Sequence, residues 1–180
     1  MRCPLHGTGT DPTRLVGRTI ERVLASWHLY DGERSEIPLD VWLLDTTGDA
    51  TRITTGSDWC LIVESAAPDE SYESLDMGAW GRIEIGEDLG DHPLRRHLGE
   101  TVTSVAEYGL PDFGRTHLEL GFPGGQVRAD CHEGDLRLTR TGAGTGRTAP
   151  AAAPAPRAPS AREPVVDARQ QLGPDVLRRR

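Results

Sequence analysis

The chain has 180 residues, 36% of them hydrophobic and 5% aromatic, with a net charge of −8, which gives room for one ordinary domain plus extras. It has no apolar run of about 18 residues for a membrane helix, and its N-terminal MRCPLHGTGT lacks the apolar segment of a secretory signal, so a cytoplasmic setting without a membrane partner is expected. Residues 1–140 carry 13 arginines against 25 acids and residues 141–180 carry 7 against 3; an acidic body repels phosphate backbones, so nucleic acid is not expected to bind it.

Residues 1–14, with Pro4 and Pro12 and no apolar period, read as an irregular arm. A first β unit spans 15–64. Within it, 19–30 has apolar residues at helical spacing, but its echo at 101–108 (TVTSVAEY) is β-branched, so a strand is expected there. The offset of three between Ile20 and Val23 then calls for a β-bulge. Residues 38–45 form the next strand, with Trp42 and Leu44 facing inward, and run into the turn TTGD; strands at 50–55 and 59–64 follow. An acidic connection spans 65–97, with one strand at 81–86 (GRIEIG) and a short helical turn after Pro93. The second unit, 98–140, repeats the plan with strands at 101–108, 115–122, 126–131 and 135–140; Leu118 and Leu120 alternate with His117 and Glu119. From 141 to 180 the Ala/Pro/Arg-rich composition predicts a disordered tail.

The two units echo each other. LVGRTIERV at 15–23 matches HLGETVTSV at 97–105, which sets Gly17 on Gly99, Ile20 on Val102 and Val23 on Val105; further on, Gly48 falls on Gly124, Arg52 on Arg128 and Asp58 on Asp135. The predicted fold is therefore mainly β, two similar antiparallel units from an internal duplication forming one domain. A shared inner face is expected at Ile20, Trp42, Leu44, Val102, Leu118 and Leu120. The G-x-T-[IV]-x-x-V opening and the hairpins after it resemble a family of small bacterial β-rich domains of unknown function, found in one or two copies and of the kind encoded by GC-rich, actinobacterial-like genomes. Arginine for every basic residue fits such a genome. The resemblance spans 15–140 and carries over no catalytic residue.

Candidate chemistry is sparse. Cys3, Cys60 and Cys131 are an odd, widely spaced set that suits a reducing compartment. Cys3 and His6 have C-x2-H spacing and Cys131 adjoins His132, but a structural zinc site wants paired short spacings, so free thiols, no metal and no cofactor are expected. No serine sits in a nucleophile elbow, and His117 with Glu119 reads as a solvated face. Residues 64–91 hold nine acids against one arginine without a calcium-loop rhythm, which nominates Glu70, Glu73, Asp76, Glu87 and Asp88 for a protein partner with a basic surface. Arg52 with Asp58, and Arg128 with Asp135, read as structural pairs crossing a hairpin. The expected function is a non-enzymatic protein-binding module, with immunity or antitoxin-type proteins as a fitting subclass. The alternative is a small-molecule binder or enzyme using a cleft between the units, which converging histidine or arginine side chains would favour.

Overall fold

Each half opens on a proline-led 3₁₀ turn followed by a glycine in the left-handed conformation that side-chain-bearing residues disfavour. In the computed structural model, which describes residues 2, 3, 9–68, 78–87, 90–110 and 112–142, these turns are Pro12–Leu15 and Pro93–His97. Their caps are equivalent: Asp11 accepts from the Thr13 N–H and His92 from the Leu94 N–H. Gly17 and Gly99 follow at φ +83° and +79°. The arm and the acidic connection thus each contribute the first turn of a repeat longer than the sequence echo indicated.

The G-x-T-[IV] segments then pair with each other. The Gly17 N–H bonds the Val102 carbonyl and the Val102 N–H bonds Arg18; reciprocally, the Gly99 N–H bonds Ile20 and the Ile20 N–H bonds Glu100. At the centre Thr19 and Thr101 form a bridge, their hydroxyls 2.8 Å apart. The pattern has the reciprocity of a pseudo-two-fold axis.

From this junction two antiparallel meanders run out. The first comprises β1 (Ile20–Tyr30), β2 (Glu33–Arg34), β3 (Asp40–Asp45), β4 (Ala50–Thr55) and β5 (Leu61–Ser65), in the order β2-β1-β3-β4-β5, with β6 (Arg82–Gly86) pairing to β1. The second comprises β7 (Ser104–Leu110), β8 (Gly114–Phe122), β9 (Gly125–His132) and β10 (Asp135–Thr141), in the order β10-β9-β8-β7. Residue 141, assigned to the tail, thus closes β10; the rest of the predicted disordered tail, from 143 on, lies outside the described residues. No helix among the described residues is long and apolar enough to cross a membrane.

The expected bulge lies between Ile20 and Arg22 and turns both Ile20 and Val23 into one core. Val102, Leu118 and Leu120 meet them there from the other sheet. Trp42 and Leu44 do not, correcting the expected inner face: Val41 and Leu43 occupy the core instead. The cause is turn length. Leu44 pairs with Ala50 across five intervening residues, whereas Gly121 pairs with Gln126 across four. Gly48 and Gly124 do sit in equivalent turns, but aligning through them sets β3 one residue out, and a one-residue slip exchanges the faces of a strand.

Arg115, at the start of β8, is the largest buried charge, 1% exposed. It pairs with Glu107 at 2.8 Å and donates to the Leu61 and Thr10 carbonyls, tying β8 to β7, β5 and the arm. Two outcomes are expected in urea unfolding. Arg115→Ala loses roughly 3 kcal/mol, since it leaves two carbonyls and a carboxylate without their donor. Thr101→Val loses about 1 kcal/mol, and the Thr19→Val/Thr101→Val double variant recovers part of it because no hydroxyl is then stranded.

Candidate functional site

Where β1 and β2 of the first unit approach β10 of the second, they leave a groove of about 920 Å³, which residues 90–93 also line. The Asp31-Gly32 dipeptide creates the first wall. Both residues have positive φ, at +50° and +80°, and join Tyr30 to Glu33 as a two-residue hairpin of the I′ kind that matches strand twist. The hairpin lays the Arg34 guanidinium over Trp27, 4.2 Å from the ring centroid, a cation–π contact on a tryptophan whose body is in the core. Ile37 and Pro38 continue this wall, and Leu136–Thr139 of β10 form the other.

His92 lines both the groove and the recess beside it. Its Nδ1 accepts the Leu94 N–H, which places the ring proton on Nε2; that nitrogen is buried without a partner among the described residues. Burial pushes the ring down from 6.5 to about 4, so it is neutral at pH 7. A second recess of about 300 Å³ adjoins, lined by Arg95, Arg96 and Arg140. Arg95 donates to the Gly90 carbonyl at 2.9 Å. Elsewhere Arg18, Arg22, Arg52, Arg115 and Arg128 are paired with carboxylates. Arg137 in the groove and Arg95, Arg96 and Arg140 in the adjoining recess have no carboxylate within 4.0 Å among the described residues, as is also true of Arg14 and Arg82 elsewhere, and Glu36 and Asp91 line the groove beside them.

The residues nominated from sequence lie elsewhere. Glu70, Glu73, Asp76 and Asp88 are outside the described residues, and Glu87 is ion-paired with Arg22. The two expected hairpin pairs are not formed: Arg52 binds Glu64 at 3.0 Å and Asp40 at 3.7 Å rather than Asp58, and Arg128 approaches Asp130 at 3.5 Å rather than Asp135. The reason is strand geometry. Arg52 and Glu64 are direct cross-strand neighbours, whereas Asp58 lies in the β4–β5 turn, accepting from the Cys3 thiol and the Cys60 N–H, and Asp135 opens β10 opposite His132. His117 stacks on Tyr108, ring centroids 4.4 Å apart, and Glu119 faces Arg128 across the ladder. Sequence reasoning missed the groove arginines and His92; the Asp31-Gly32 hairpin was the one local signal available. The chain matches no protein-family model, no curated protein and no solved structure.

The depressed pKa of His92 has a thermodynamic consequence. Between about 4 and 6.5 the unfolded chain binds a proton that the folded chain refuses, so stability falls as pH drops through that window. His117, also lowered by burial, acts in the same direction. His92→Asn keeps a side-chain cap acceptor and removes the titration. Its melting temperature is therefore expected to decline less than wild type between pH 6.5 and 4, with little difference at pH 7; parallel curves would show that His92 is protonated freely in the fold.

Proposed function

We propose that the chain is a non-enzymatic binding module whose groove holds a small organic anion, with an apolar body against Trp27, Ile37 and Leu136 and a carboxylate or phosphate facing the arginines. One observation carries this reading: four rim arginines lack carboxylate partners among the described residues of a body in which acids outnumber arginines 25 to 13. Arginine presents a planar fork of donors matched to carboxylate and phosphate oxygens. A mixed wall of apolar side chains with a few convergent donors is the usual make-up of a ligand pocket. The buried Nε2–H of His92 adds a neutral donor in the residues that line the groove. Ser35, which also lines the groove, donates its hydroxyl to the Ile37 carbonyl and accepts from the His28 N–H, an engagement that suits binding better than nucleophilic attack.

A second reading rests on the nine acids against one arginine in residues 64–91, which suit a basic protein partner in the manner of an immunity or antitoxin protein. Titration with a panel of aromatic and aliphatic carboxylates and phosphates, followed by tryptophan fluorescence, separates the two. Saturable binding is expected, weakened by salt and lowered at least about tenfold, or 1.4 kcal/mol, by Arg137→Glu, while His117→Ala leaves it unchanged. If no anion binds and neutralising Glu70, Glu73, Asp76, Glu87 and Asp88 abolishes association with a basic protein, the second reading replaces the first.

A further inference from the structure

Away from the groove, three side chains that are far apart in sequence meet at the β4–β5 turn. The sulfurs of Cys3 and Cys60 and a carboxylate oxygen of Asp58 all lie within 4.8 Å of one another. The two cysteines are buried with Ile62 in a small apolar cluster of their own. The Cys3 thiol donates to Asp58 Oδ2 at 3.0 Å and the Cys60 N–H to Asp58 Oδ1 at 3.3 Å.

The backbone is bent to make this meeting possible. Trp59, between the two turn residues, stands at φ +63°, a conformation that is strained for a bulky side chain and is held only where the surroundings impose it. The strain is not repaid by burying the indole, which is 64% exposed. Gly56 completes the turn, for a Cβ there would lie 2.6 Å from the Asp58 carboxylate and 3.2 Å from Cys60 Sγ. The device orients Asp58 and Cys60 towards one point, and the arm brings Cys3 to the same point.

We propose that Cys3, Asp58 and Cys60 form a centre for a thiophilic divalent cation, best matched by Zn²⁺, that staples the N-terminal arm to the β4–β5 turn. Two sulfurs and a carboxylate are ordinary zinc donors. With metal–ligand bonds of about 2.0 to 2.3 Å, donor atoms around a tetrahedral zinc stand about 3.3 to 3.8 Å apart, so no pair of the three donors needs to change its separation by more than about 1.5 Å. On binding, the two thiols release their protons to solvent and the thiol hydrogen bond to Asp58 gives way to a carboxylate–metal bond. Three protein ligands leave one tetrahedral position for water or another donor. The site is independent of the groove, and so is its test.

Full-length protein, reduced and stripped with a chelator, is titrated with Co²⁺ and then with Zn²⁺. The expected result is one Co²⁺ per chain, with sulfur-to-cobalt charge-transfer absorption that Zn²⁺ displaces. Cys131→Ser keeps this band, whereas Cys3→Ser and Cys60→Ser each lose part or all of it. Because Cys60 is fully buried and its variant can fail to fold, Asp58→Asn, at a partly exposed position, provides the second probe: circular dichroism unchanged, cobalt affinity lowered. The proposal is overturned if the reduced, folded wild-type chain shows no sulfur-to-cobalt band, if the band survives both cysteine substitutions, or if peptide mapping of metal-treated protein finds a Cys3–Cys60 disulfide in place of bound metal.

Discussion

The fold depends on one reciprocal contact, the pairing of Gly17–Ile20 with Gly99–Val102 about the Thr19–Thr101 bridge. Each segment supplies backbone partners for the other, while the first is also joined to its own meander, where the Thr46 N–H bonds the Thr19 carbonyl and Ile20 pairs with Asp45. An unpaired backbone group removed from water costs free energy comparable to a lost hydrogen bond, so each half completes the other. The left-handed glycines let the chain leave a 3₁₀ turn and enter the junction directly, which fixes the angle at which the first strand of each half sets out. Ile20 and Val102, the next residues on the two sides, are both in the shared core, and burial of apolar surface there joins the halves where the hydrogen bonds align them.

The strands were legible in the sequence because two copies supplied the same evidence twice; the β-branched echo at 101–108 is what made a strand of 19–30, where spacing by itself suggested a helix. The duplication misled where the copies differ in length. One extra residue in the first hairpin turn was invisible beside the matching glycines, and it reversed Trp42 and Leu44. The turn after Pro93 was expected, but the Pro12–Leu15 turn and the equivalence of the two were hidden, because Asp11 and His92 are chemically unlike yet make the same cap.

The groove was illegible for a different reason. Its arginines come from positions 34, 95, 96, 137 and 140, and no local pattern links a hairpin near residue 32 to a strand a hundred residues later. Composition pointed the other way, towards acid. Only the pairing geometry shows that carboxylates neutralise arginines such as Arg52 and Arg115 elsewhere, while four arginines around the groove and its adjoining recess have no carboxylate within 4.0 Å among the described residues. The groove also lies where the two halves cease to match, since among the described residues β2 and β6 have no counterpart in the second. Symmetry builds the scaffold, and departures from it build the recess.

The reciprocal junction has a consequence for assembly. Because each G-x-T-[IV] segment accepts the other by the same bonds, the first half of one chain fits the second half of another as well as its own, and the connection of 65–97 between them is long. The native contact is thus also the contact that a domain-swapped dimer would use, and the high effective concentration of the tethered half favours the contact within one chain. Shortening the link outside β6 and the Pro93–His97 turn, which pair with β1 and enter the core, shifts the balance towards exchange.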